Sequence, residues 1–210
     1  MKTERTPQIR EITGDYLQGF IRLLHQIDLQ AIERVVRRLE QARDTGRTIY
    51  IAGNGGSAAT ASHWVNDLGK ATKVSGRPPF RVMSLSDNVS WLTALANDEG
   101  YERVFSGQLE NFAKPEDILV VISASGNSPN LVRAVELARS RNLTTIGFLG
   151  FDGGVLKGLV DECLLVPTPK GAYGLVESAH GLLFHLLTDC LVRDAALTSK
   201  VETKQADIAR

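Results

Sequence analysis

The chain has 210 residues, 43% of them apolar, which suits the core of one compact domain with a small appendage. Its 24 basic side chains balance 24 acidic ones, which argues against broad electrostatic binding to nucleic acid or to an anionic membrane. Two cysteines in apolar segments, Cys163 and Cys190, make no disulfide framework and read as reduced, buried thiols.

The segment Met1-Lys2-Thr3-Glu4-Arg5 is polar and leads into no apolar run, so no signal peptide is expected. No run approaches the roughly 18 apolar residues of a membrane span, so the expected location is the cytoplasm. The first 45 residues read as two helices. Leu17, Phe20, Ile21 and Leu24 form one apolar stripe, and Ile32, Val35, Val36 and Leu39 form another. Asp28 is placed to cap the second helix. The pair is expected to bury its stripes on a second subunit, so residues 1–45 read as an oligomerisation segment.

From residue 48 short apolar runs alternate with helical stretches. The runs are Thr48 to Ala52, Phe80 to Leu85, Ile118 to Ile122, Thr144 to Leu149 and Glu162 to Val166. The clearest helical patterns are Ala58 to Leu68, Tyr101 to Ala113, Pro129 to Arg141 and Leu175 to Arg193. Such alternation implies an α/β fold with parallel strands and right-handed crossovers. This domain spans residues 46–195, and residues 196–210 read as a polar tail.

Ligands bind beyond the carboxyl ends of strands in open α/β sheets. Two loops stand there. Gly53-Asn54-Gly55-Gly56-Ser57 lets the backbone turn tightly before a helix that Ser57 is placed to cap. It is neither a dinucleotide fingerprint nor a P-loop, so no nucleotide cofactor is expected. Ser123-Ala124-Ser125-Gly126-Asn127-Ser128-Pro129 carries three serines in six residues, with Ser128 as N-cap and Pro129 at the first helical position. Hydroxyls and unpaired N–H groups at a helix start make a cradle for a phosphate. Farther on, His63 and Asp67 share one helix face, one turn apart. Glu177 and His185 differ by roughly 80° around the last helix and face one cavity, whereas His180 sits about 140° from His185.

The two loops, some seventy residues apart, resemble those of the sugar isomerase (SIS) domain family, and more closely its phosphoheptose isomerases. The resemblance runs from about Ile49 to Leu191. It implies a five-stranded parallel sheet flanked by helices, flavodoxin-like, with an N-terminal helical pair. It also implies a homotetramer with active sites at subunit contacts, and a phosphorylated ketose isomerised through an enediol. Carried over, Ser125 and Ser128 hold phosphate with Ser123 and Ala124 beside them. Asn54, Gly55, Gly56, Ser57 and Glu177 meet the substrate, as do Asn97 and Asp98 of Ala96-Asn97-Asp98-Glu99-Gly100. Asp67 serves as base and His185 as acid.

Where the family has histidine, glutamate, glutamine and histidine, this sequence has His63, Asp67, Glu177 and His185. Asp67 is one methylene shorter than the family's base, which calls for a backbone shift or a bridging water. Glu177 turns a neutral amide into a carboxylate. Two carboxylates in one pocket favour a shared proton or a cation, so zinc or another divalent metal on His63, Asp67, Glu177 and His185 is expected. The departures also admit a rival: a phosphosugar-binding protein without catalysis, or one associated with the replication initiator. Absent from either reading are nucleic acid and membrane as partners.

Overall fold

The computed structural model describes residues 5–208, with side chains described for 7–193. Two helices open the chain, α1 (Arg5–Leu24) and α2 (Leu29–Asp44). The Asp28 carboxylate accepts from the Gln30 N–H at 2.9 Å, the cap expected at that position. Then follow β1 (Thr48–Gly53), α3 (Gly56–Asn66), β2 (Arg81–Ser84), α4 (Val89–Asp98) and α5 (Ser106–Phe112). The chain closes with β3 (Ile118–Ser123), α6 (Pro129–Ser140), β4 (Thr144–Gly150), β5 (Glu162–Val166) and α7 (Tyr173–Ile208).

The five strands form one parallel sheet in the order β2-β1-β3-β4-β5. Their registers run evenly, with Ile49 opposite Ile118 and Ile118 opposite Thr144. Side chains alternate across the sheet, as a two-residue period requires. Ile49, Ile51, Ile118, Val120 and Ile122 point into the core under α2, α3 and α7. Tyr50, Ala52, Leu119 and Val121 point into the core under α4, α5 and α6. Both faces of the sheet are thus covered, which explains the continuous apolar runs in the sequence.

Several expectations need correction. The α2 stripe packs on its own chain: Ile32, Val35 and Leu39 are buried against β5 and α7, and Arg34 and Arg38 reach Glu162 at the start of β5. The stripe of α1 stays open, with Ile9, Ile12, Leu17 and Ile21 exposed. The helix expected from Tyr101 to Ala113 is broken. A 3-10 turn at Tyr101–Arg103 precedes α5, because Val104 and Phe105 both dip into the core. The stretch Tyr173–Arg193 of α7 is, by length and composition, apolar enough to cross a membrane, contrary to the sequence reading. In this fold its Val176, Ala179, Leu183, Phe184 and Leu187 lie in the domain core. The segment 196–210 continues as α7 to Ile208, and its side chains lie outside the described residues.

Candidate active site

The strand order reverses direction between β1 and β3, and a crevice opens there at the carboxyl ends of the strands. The loop after β1 and the loop after β3 meet across it. Together they line a cavity of about 190 Å³ with Asn54 and Ser57 on one side and Ser123, Ala124, Ser125 and Ser128 on the other. Tyr173 and Glu177, from the start of α7, complete its lining.

An amide pair fastens the two loops. The Asn54 amide donates to the Asn130 carbonyl at 3.0 Å, and the Asn130 amide donates back at 2.8 Å. Tyr101 donates its hydroxyl to the same Asn54 oxygen at 3.0 Å. Asn130 is buried and its oxygen also accepts from the Leu131 N–H. Neither Asn130 nor Tyr101 stands out in the sequence. Asn130 directly follows the helix-starting Pro129, and that position is its one signal.

The first loop depends on glycine at two points. A Cβ on Gly53 would lie 2.6 Å from the Ser57 backbone, and Gly55 holds a φ of 54° as the residue before α3. Ser57 does not cap the helix: α3 begins one residue earlier, so Ser57 lies inside its first turn and turns its side chain to the cavity. In the second loop Ser128 holds the N-cap position as expected, yet its hydroxyl makes no capping bond. It stays free to meet a ligand. The Ser123 and Ser125 oxygens accept from the N–H of Gly126 and Asn127 at 3.0 and 3.3 Å, which fixes the turn before α6. Both hydroxyl protons remain available to an anion.

Asn97 and Asp98 end α4, which the sequence did not reveal as a helix, and they bond to each other at 2.7 Å. Neither lines the cavity.

His63, Asp67 and His185 come together on the outer side of α3 and α7. Asp67 Oδ2 lies 3.8 Å from His63 Nε2 and 3.6 Å from His185 Nε2. The two imidazole rings stand edge to face with centroids 5.1 Å apart, and Phe184 packs against both. Asp67 also opens a π-helical turn, Asp67–Ala71, that extends α3. The winding therefore changes at Asp67 itself.

Glu177 stands apart from this trio. A Cβ on Gly56 would meet its carboxylate at 2.6 Å, so Glu177 rests over the first turn of α3 and beside the serine loop. The helices α3 and α7 run side by side in the same direction: Gly56 meets Glu177, Trp64 meets Phe184, and Asp67 meets His185. Two turns of helix thus separate the serine loop from the histidine–aspartate group. For a metal, the structure brings together three of the four expected donors, His63, Asp67 and His185, with ligand atoms within 4.8 Å of one another. Two imidazoles and a carboxylate are a donor set that zinc accepts.

His180 belongs to the core, packed near Phe148. Burial lowers its pKa to about 4, against a smaller opposing pull from the Leu149 backbone. Trp64 is fully buried, and Trp91 packs on Phe112. Burial also pushes the Cys163 thiol up, away from the reactive thiolate.

The family described as the SIS domain matches residues 15–150. A phosphoheptose isomerase of Trichlorobacter lovleyi is 38% identical over 181 residues, 83% of this chain and 89% of that protein. One from Helicobacter pylori is 38% identical over 183 residues, 86% of this chain and 90% of that protein. The solved phosphoheptose isomerase of Neisseria gonorrhoeae superposes with a TM-score of 0.79 at 30% identity, covering 87% of this chain and 98% of its own.

Proposed function

The chain belongs to the SIS-domain family, among the phosphoheptose isomerases, and on that footing we propose that it converts sedoheptulose 7-phosphate to glycero-manno-heptose 7-phosphate. The observation that carries this reading is the meeting of two loops, remote in sequence, around one hydroxyl-lined cavity locked by the Asn54–Asn130 pair.

The phosphate sits among Ser123, Ser125 and Ser128, where side-chain hydroxyls and main-chain amides neutralise it in part. Asn54 and Ser57 turn toward the sugar. From Glu177 to His185 α7 advances by eight residues, roughly 12 Å. A seven-carbon sugar anchored by its terminal phosphate spans a gap of that order, whereas a triose does not. Anchoring the distant phosphate fixes the reacting carbons by binding energy remote from the chemistry.

Isomerisation needs a base for the carbon-bound proton and an acid for the oxygens. Asp67 takes the proton from one carbon and delivers it to its neighbour, and His185 serves the oxygens of the enediol. Their separation of 3.6 Å sets both groups within reach of one pair of neighbouring carbons. In the alternative arrangement Asp67 is a ligand rather than the base: zinc or another divalent ion on His63, Asp67 and His185 would polarise the sugar carbonyl when bound. Glu177 lies at the sugar side of the cavity, and no nucleotide cofactor enters the scheme.

We also read the enzyme as a cytoplasmic homotetramer. The open stripe of α1 (Ile9, Ile12, Leu17, Ile21) and an apolar groove between α2 and α7, with Leu29, Ile32, Val36 and Leu186 on its walls, are surfaces that a second copy would cover. The N-terminal segment then completes the site through assembly.

The test is incubation with sedoheptulose 7-phosphate in deuterated water. The expected result is turnover with deuterium at the carbon beside the carbonyl. Neither label nor turnover, with any ketose phosphate, would overturn the assignment.

A further inference from the structure

We infer that Lys170 is the counter-charge for the substrate's phosphate, and so the residue by which the site separates a phosphorylated ketose from the free sugar. The inference rests on the serine loop being the phosphate cradle.

The cavity over β1 and β3 has no cationic side chain on its walls among the described residues. Its one ionisable acid is Glu177, of the same sign as the ligand. Hydroxyls and amides orient a dianion but supply no net charge, and a carboxylate in the lining opposes it. The charge partner stands on the other side of the same loop. Ser125 lines a second cavity, of about 250 Å³, together with Asn127, Phe151, Asp152, Thr168 and Lys170.

Three features make this cavity an extension of the first. The two cavities share Ser125, and Phe151, which lines the second, stands edge to face with Tyr173, which lines the first, at a centroid distance of 5.1 Å. Phe151 adopts a φ of 52°, a left-handed conformation that a bulky residue adopts only when its surroundings hold it there. Asn127 clamps the loop from behind, donating to the Ser125 carbonyl at 2.8 Å and accepting from the Val155 N–H at 3.0 Å. The wall between the cavities is therefore held in place with Ser125 exposed to both.

The polar groups on the second side divide into engaged and open ones. The Asp152 carboxylate accepts from the Gly154 N–H at 3.0 Å. Thr168 Oγ1 is buried with no hydrogen-bond partner among the described residues. Lys170 makes no ion pair among the described residues and is exposed on the segment between β5 and α7. A lysine carries its charge on a flexible four-carbon stem, so it reaches across a cavity of this size to a phosphate seated on Ser125. Thr168 offers a neutral donor beside it.

The experiment measures binding of inorganic phosphate, sedoheptulose 7-phosphate and free sedoheptulose by calorimetry at low and high salt, with turnover of the phosphorylated sugar alongside. The proteins are the full-length wild type, Lys170→Met, Lys170→Arg and Ser125→Ala. Lys170→Met is expected to weaken both phosphorylated ligands about tenfold or more, to raise KM far more than it lowers kcat, and to remove most of the salt dependence. Lys170→Arg is expected to restore binding. Wild-type affinity in Lys170→Met with weakened binding in Ser125→Ala overturns the role of Lys170 and leaves the cradle standing. Wild-type phosphate affinity in Ser125→Ala overturns the cradle and the inference with it. Equal weakening of free and phosphorylated sedoheptulose by Lys170→Met makes the residue structural and also overturns the inference.

Discussion

Asn54 and Asn130, 76 positions apart in the chain, exchange two amide hydrogen bonds of 3.0 and 2.8 Å and so hold the two ligand loops at a fixed distance. Asn130 is buried, so the pair resists replacement by water. Asn130→Ala would leave the Asn54 amide short of a partner. The expected cost is about 1–3 kcal/mol of stability, read by chemical denaturation, together with a raised KM for the phosphorylated sugar. An unchanged KM would mean that the loops keep their spacing without the pair.

The π turn at Asp67 makes a second prediction. If the widened winding places the shorter carboxylate for proton transfer, lengthening the arm harms the enzyme. Asp67→Glu is expected to lower kcat by on the order of a hundredfold, since a displacement near 1 Å costs that much. Asp67→Asn is expected to lose about 10²–10⁴-fold, the range for removal of a general base. Steady-state rates with sedoheptulose 7-phosphate decide both, and a gain in Asp67→Glu would contradict the placement.

Gly56 offers a way to move Glu177 without mutating it. An added Cβ would stand 2.6 Å from the far end of that flexible side chain, so the carboxylate yields rather than the backbone. Gly56→Ala is expected to fold normally and to change KM with little effect on melting temperature. In a Glu177→Ala background the same substitution is expected to have no further effect on KM. Additive effects would show that Gly56 acts through something other than Glu177.

Metal binding is checked on protein purified without a histidine tag. Elemental analysis is expected to find about one zinc per chain, lost in both His63→Ala and His185→Ala. Added zinc is expected to raise the melting temperature of the wild type and not of those variants, because a ligand that binds only the folded chain stabilises it by mass action. Glu177→Gln is expected to retain the ion, since Glu177 stands outside the trio that could hold it. Zinc loss in Glu177→Gln would return Glu177 to the ligand set.

His180 sets an acid limit on stability. Its folded pKa, near 4, lies below the ordinary value of 6.5. Between those values the unfolded chain binds the extra proton, so stability falls as pH drops through that window and is fully retained above it. The size is roughly 3 kcal/mol, because each tenfold loss of proton affinity on folding is worth about 1.36 kcal/mol. Denaturation midpoints at pH 7.5 and 5 are expected to differ for the wild type and to differ less for His180→Leu. Equal pH dependence in both would acquit His180.

Much of the architecture was legible because parallel strands buried on both faces leave unbroken apolar runs, and all five emerge within about two residues of their expected ends. The helix α4 was not legible. Its Trp91, Leu92 and Leu95 make too short a stripe, and its clearest sign was the cap by Asn88, which accepts from the Trp91 N–H. The pattern of α2 gave its buried face correctly but not what it packs against, since a stripe records burial and not the partner. In the site, serines and glycines were visible as loop chemistry. Asn130, Tyr101 and Lys170 were not, because their relevance comes from contacts between segments far apart in the chain. The separation of Glu177 from His63, Asp67 and His185 was equally hidden: angle around one helix says little about which neighbour each turn faces.

A cradle of hydroxyls and main-chain amides contains nothing that gains or loses a proton near neutrality. The grip of the serine loop across that range therefore follows the ligand, whose second ionisation falls at about pH 6 for a phosphate monoester. The acidity of the surrounding solution would tune this protein through the charge of the sugar it holds, while the loop itself stays indifferent.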